Sequence, residues 1–139
     1  YSHLDKEFLP YVQTAFEPLY KDHRIAYFDD TYISGGDEWE RKIKDSLASA
    51  AVAILIISPN FLKSDYIRTI EQPAIIERFQ RGKLNIIPIL ADGELPQQGF
   101  LSRLQYITEN NALSKCTEQQ RLNYMKKMIE KVSSFGALL

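Results

Sequence analysis

Ala51-Val52-Ala53-Ile54-Leu55-Ile56-Ile57, closed by Ser58-Pro59-Asn60, is the stretch that decides the fold. Its apolar residues follow one another without alternation, and many are β-branched. A strand with one wet face alternates apolar and polar residues, so this one is covered on both faces, as in a parallel sheet. The run is too short to span a bilayer.

Reading outward, each neighbouring segment alternates between strand and helix character. Upstream, Asp37–Ser49 has Trp39, Ile43 and Leu47 at helical spacing, with Asp37, Glu38 and Glu40 where a helix start favours negative charge. Before it, Arg24–Phe28 reads as a short strand, followed by Asp29-Asp30 and a loop through Ser34-Gly35-Gly36. Leu4–Tyr20 carries Phe8, Leu9, Val12, Phe16 and Leu19 in a helical pattern. Downstream, residues 61–80 are helical in pattern, interrupted near Ser64-Asp65 and near Pro73, and Gly82 stops them. Leu84–Leu90 is a second buried strand, and Ala91–Phe100 is a loop. Leu104–Ile107 reads as a weaker edge strand. Thr117–Val132 is a closing helix with Leu122, Met125, Ile129 and Val132 inward.

This alternation predicts an α/β, flavodoxin-like three-layer sandwich: a central parallel sheet with right-handed crossovers and helices on both faces. Residues 1–139 read as a single domain. The helix at Leu4–Tyr20 lacks the strand a parallel unit wants before it, so a strand preceding Tyr1 is expected. The chain reads as a piece of a longer multidomain protein.

Composition bounds the function. Seventeen basic and eighteen acidic residues give a formal charge of -1, which offers no general attraction to nucleic acid or anionic lipid. Lys126, Lys127 and Lys131 are a local basic cluster. Cys116, the one cysteine, cannot form an internal disulfide, so the fold does not rely on an oxidising compartment. No Cys/His metal-ligand spacing is visible. The expectation is a cytoplasmic protein that binds neither nucleic acid nor membrane directly and needs no metal.

In open parallel sheets, ligands gather beyond the C-terminal strand ends. Tyr1-Ser2-His3, Asp29 to Gly36, Ser58 to Asp65 and Ala91 to Phe100 occupy those positions, and they are rich in hydroxyl, carboxylate and glycine. Glu71 stands out among Ile67, Ile70 and Ile75, on the helical segment after the central strand. There a carboxylate can bind a ribose diol or steady positive charge at a sugar carbon. The competing reading is a surface glutamate paired with Arg68 or capping a turn. His3 is a base, a substrate contact or a structural loop residue. Asp29 and Asp30 bind a ligand or close an Asx turn. Trp39 is a core plug or the wall of an aromatic slot, and Ser58-Pro59-Asn60 can be a simple strand-to-helix turn. G-x-G-x-x-G, a P-loop and G-x-S-x-G are all absent from the sequence. A phospho-acceptor receiver is disfavoured because Ser58, not an acid, ends the central strand.

Taken together, these segments resemble a TIR domain of the bacterial NAD-cleaving type. The likeness rests on Tyr1-Ser2-His3-Leu4-Asp5, on Tyr27-Phe28-Asp29-Asp30 with Ile33-Ser34-Gly35-Gly36 and Trp39, and on Ile86-Ile87-Pro88-Ile89. The most specific part is Ala53 to Leu62 with Ser64-Asp65-Tyr66-Ile67 and Glu71-Gln72-Pro73. Gly35 stands where the family commonly has proline, and Tyr66-Ile67 replaces a commoner Trp-Cys pair. The resemblance implies that Glu71 is the catalytic glutamate and that Trp39 lines the nicotinamide side. It implies that Tyr1, Ser2 and His3 contact the ligand, and that Asp29, Ile33 and Gly36 belong to a mobile gating loop. Ser58 and Tyr66 complete the implied substrate-binding set. NAD is then the substrate and no cofactor is required. Self-association through TIR-TIR contacts, a fused sensor or oligomerisation domain, and a role in antiphage defence are further implications. The alternative is a TIR interaction and signalling module without chemistry.

Overall fold

The computed structural model describes Thr14 and residues 24–28, 37–63 and 66–135, without the side chains of residues 37–40 and Tyr66. Three strands lie in the order β1 (Ile25–Phe28), β2 (Val52–Ile57) and β3 (Asn85–Leu90), all parallel. Ile25 pairs with Val52 and Phe28 with Leu55, while Val52 pairs with Asn85 and Ile57 with Leu90. The helix α1 (Asp37–Ser49) makes the first crossover. Three short helices make the second: α2 (Pro59–Leu62), α3 (Tyr66–Ile70) and α4 (Pro73–Gln80). Single turns of 3-10 helix at Phe100–Arg103 and Leu113–Lys115 precede the long α5 (Glu118–Ser134).

Both crossovers step in the same direction across the sheet. Right-handed connections therefore put their helices on one face. The side chains obey this. Ala26, Phe28, Ala53, Leu55 and Ile57 pack with Ile43 and Leu47 of α1, Phe61 of α2, Ile70 of α3 and Ile75 of α4. The alternate strand residues, Ile25, Tyr27, Val52, Ile54, Ile56, Ile87 and Ile89, pack with Met125, Met128 and Val132 of α5. Every residue of β2 is buried, which is why its sequence cannot alternate. The three-layer parallel sandwich expected from the sequence is the fold observed. The expected helix at Leu4–Tyr20 lies outside the described residues, apart from helical Thr14.

Two expectations are corrected. Residues 104–107 do not form a strand. Asn85 and Ala91 donate their N–H groups to Ala51 and Ile57 carbonyls of the β2 side. By parity, the Pro88 backbone nitrogen faces the outer edge of β3, and proline has no N–H to offer a further strand. One backbone and one side-chain hydrogen bond take its place: Ile107 N–H donates to the Pro88 carbonyl at 3.1 Å, and Leu90 N–H donates to the Thr108 hydroxyl at 3.2 Å. Leu122 is the second correction, because it is exposed. The inward stripe of α5 is Met125, Met128 and Val132, flanked by Tyr124 and Ile129, and Leu122 lies one turn before that cluster begins. The helix starts at a full capping box. Gln120 N–H donates to the Thr117 hydroxyl while Thr117 N–H donates to the Gln120 side chain.

The cluster of lysines on α5 is partly neutralised. Lys127 lies 3.4 Å from Glu109, and the Lys131 ammonium sits 5.6 Å from the centre of the Phe135 ring.

Tyr106 anchors the segment that follows β3. It is buried, its hydroxyl donates to the Leu101 carbonyl at 3.0 Å, and burial pushes its phenol up to about 12. An unfolded phenol ionises near its ordinary value of 10.0. Between these values the unfolded chain sheds a proton that the folded chain keeps, so stability falls as pH rises through the window. Denaturant titrations should show the wild type losing about 2 kcal/mol more than Tyr106→Phe across this alkaline range. Parallel pH profiles for the two proteins would contradict the assignment.

Candidate active site

The C-terminal end of β2 is closed by a buried serine. The Ser58 hydroxyl accepts the Phe61 N–H at 3.1 Å and caps α2, with Pro59 at the first helical position and Phe61 fully buried. This fits the strand-to-helix turn weighed from the sequence. α3 follows, packed against α1 and α2. Thr69 and Ile70 are buried, and Glu71 N–H donates to the Ile67 carbonyl at 2.9 Å, so the chain is still helical as it reaches Glu71. Gln72 is extended, as the residue before a proline prefers to be, and Pro73 starts α4. Glu71 therefore stands at a sharp corner between two helices whose inner faces are fixed by the core.

The Glu71 side chain is exposed. Its carboxylate makes no hydrogen bond or ion pair among the described residues, so a pairing with Arg68 is not the role the geometry gives it. What it does meet is the loop leaving β3. That loop touches α2 first: a Cβ built on Gly93 would come within 3.0 Å of the Pro59 ring. It then reaches the α3–α4 corner, where a Cβ on Gly99 would lie 3.3 Å from Glu71 Oε2. Asp92 accepts a hydrogen bond from the Ser114 hydroxyl at 2.8 Å, and Ser114 N–H donates to the Ala91 carbonyl. The loop is thus tied to Ser114 where it leaves β3.

Two of the expected site positions, Ser58 and Glu71, come from the connection after β2, which the β3 loop contacts at Pro59 and at Glu71. Trp39 lies in the first turn of α1, and Tyr66 opens α3, the helix packed against α1; their side chains are not described. Tyr1, Ser2, His3, Asp29, Ile33 and Gly36 lie outside the described residues. Gly93 and Gly99 were not singled out by sequence. The Asp92-Gly93 pair is a turn signal, but nothing local marks Gly99 as a neighbour of Glu71.

Two hollows are lined by the segment after β3 together with α5. One, of about 540 Å³, lies between Pro96, Gln97 and Lys127. A smaller one of about 280 Å³ lies between Tyr106 and Lys131. Glu71 lines neither. Among the described residues no group of three or more His, Cys, Asp or Glu side chains could hold a metal ion. No helix there is long and apolar enough to cross a membrane.

A central parallel sheet between two helical layers places the chain among the flavodoxin-like α/β domains. The sequence profile of the TIR domain matches residues 1–122, and the chain belongs to the TIR-domain family. It is 27% identical over 89 residues to the NAD(+) hydrolase TcpA of a Theionarchaea archaeon, covering 64% of this chain and 26% of that protein. It is 29% identical over 90 residues to the uncharacterized protein y4lF of Sinorhizobium fredii, covering 65% of this chain and 28% of that protein. The chain thus spans about a quarter of the length of these relatives. Any 89-residue span of a 139-residue chain includes residues 51–89, so β2, Ser58 and Glu71 all fall within the stretch similar to the hydrolase. No solved structure gives a significant match.

Removing the cap should be visible in stability. Ser58→Ala should cost about 1 kcal/mol in urea unfolding, with the slope of the transition unchanged. A loss near zero would mean that the Ser58 hydroxyl contributes nothing to closing β2.

Proposed function

We propose that this domain is an NAD glycohydrolase, cleaving the bond between nicotinamide and ribose to release nicotinamide and ADP-ribose or a cyclic ADP-ribose product. The observation that carries the reading is the Glu71 carboxylate, which has no partner among the described residues and stands against the β3 loop. The similarity to an NAD(+) hydrolase over a stretch that includes Glu71 supports it.

The chemistry asks little beyond one anion in the right place. Nicotinamide leaves with the electron pair of the breaking C–N bond, which neutralises its cationic ring and makes it a good leaving group. The anomeric carbon is left with oxocarbenium-like charge, and a carboxylate beside the ribose stabilises it. Water then adds its oxygen to that carbon and loses a proton, giving ADP-ribose; attack by a nucleophile within the same molecule gives a cyclic product. NAD is consumed as substrate. In this reading Ser58, Trp39, Tyr66, Tyr1, Ser2 and His3 shape the substrate cleft, while Asp29, Ile33 and Gly36 belong to a loop that gates it.

Activity is expected to follow assembly. Stacked copies complete a pocket that a single copy leaves open, so binding is linked to a scarce competent state. A fused sensor or oligomerisation domain would drive that assembly in a cytoplasmic setting, and NAD depletion would serve antiphage defence.

Nicotinamide release from NAD by a concentrated or artificially clustered sample tests the reading directly. The wild type should turn over, and Glu71→Ala should lower the rate at least about 100-fold while leaving the fold intact. A folded, clustered wild type that releases no nicotinamide would leave a TIR interaction module in its place. Undiminished turnover by the alanine variant would equally sink the assignment.

A further inference from the structure

We propose that Gly99 is a positioning residue for Glu71: its lack of a side chain lets the loop after β3 pass close to the carboxylate without displacing it. The consequence for turnover rests on the reading of Glu71 as the catalytic acid, whereas the contact itself does not.

The backbone is held on both sides of this contact. On one side, Glu71 follows buried Thr69 and Ile70 and precedes Pro73, so its backbone has little freedom. On the other, Gly99 is pinned by its carbonyl, which accepts the Ser102 hydroxyl at 2.6 Å and the Ser102 N–H at 3.2 Å. Phe100 and Leu101, the next two residues, are buried. The Phe100 ring meets Phe79 of α4 edge to face, with centroids 5.3 Å apart. That contact ties the 3-10 turn to the helix that begins two residues after Glu71. The turn and the corner therefore move as one piece.

Gly99 answers two separate demands. Its backbone, at φ 80 and ψ -171, lies in a region that only glycine adopts without strain. Independently, a Cβ there would stand 3.3 Å from Glu71 Oε2, closer than most side chains pack. The first demand concerns stability alone. The second concerns where the carboxylate points. A methyl group at this position would push Oε2 off its seat, and displacement of a catalytic group by a fraction of an ångström lowers the rate without abolishing substrate binding.

Gly82 separates the two demands. It also has positive φ, at +73, but a Cβ there meets nothing within 4 Å. Alanine at either glycine strains the backbone; only at Gly99 does it touch Glu71. Thermal unfolding of Gly99→Ala and Gly82→Ala is measured with Glu71 present and in a Glu71→Ala background. The Tm loss from Gly99→Ala should shrink by at least ~2 °C when the carboxylate is removed, and the loss from Gly82→Ala should be the same in both backgrounds. In nicotinamide release, Gly99→Ala should lower kcat at least ~10-fold with KM for NAD within about threefold, and Gly82→Ala should leave both unchanged. Equal Tm losses for Gly99→Ala in the two backgrounds would overturn the contact. Undiminished kcat in Gly99→Ala, when Glu71→Ala is inactive, would overturn the positioning role. A wild type without turnover would remove the proposed function instead, and the unfolding comparison would then decide the Gly99 contact by itself.

Discussion

The double burial of β2 is the constraint on which the rest of the structure depends. A strand covered on both faces must lie between two layers of other structure. Here β1 and β3 flank it, α1 to α4 cover one face and α5 the other. Parallel pairing then fixes polarity. Every strand exits at the same end, and each chain must turn there into a loop or helix. The acid at Glu71, the cap at Ser58 and the loop holding Gly99 all follow from that one geometric demand.

The order of the strands adds a second consequence. Sequential neighbours joined by right-handed crossovers place α1 and the α2–α4 connection on the same side. The second connection is broken into three short helices. Ser58 starts α2 and Pro73 starts α4, so the chain turns twice between β2 and β3. A single straight helix would carry residue 71 along the face of the sheet. The break near Pro73 instead makes Glu71 a corner residue, exposed at its tip and anchored by buried neighbours below.

The parts of the fold governed by local periodicity were legible in the sequence. Asp37–Ser49, the unalternating run at β2, the interruption near Pro73 and the strand ending at Leu90 all follow from runs of neighbouring residues. What escaped depends on contacts across the fold. Leu104–Ile107 has the composition of a strand, but its place beside β3 is decided by Pro88, fifteen or more residues earlier, whose missing N–H removes a rung. Leu122 keeps helical spacing with Met125, yet whether it is buried depends on where α5 meets the sheet. The same distinction governs the site. Glu71 could be picked out because an acid among isoleucines contrasts with its own neighbours. Gly99 could not, because its neighbour is 28 residues away and the loop between β3 and Phe100 sets the distance.

An exposed carboxylate with no partner among the described residues has a further implication for the proposed chemistry. Two unit charges 4 Å apart attract by about 1 kcal/mol in bulk water and about 4 kcal/mol at an effective dielectric near 20. Glu71 facing solvent would therefore lower the barrier to an oxocarbenium-like state very little. Enclosure, rather than any change in the acid itself, is what would convert it into an effective catalyst. The β3 loop supplies one wall at Gly99, and that wall is backbone, which leaves the rest of the carboxylate open to a ligand. The remaining cover must come from elsewhere, either from other parts of this chain or from a second copy. In the proposed reading, cover from a second copy would link turnover to assembly, whereas cover from this chain would not.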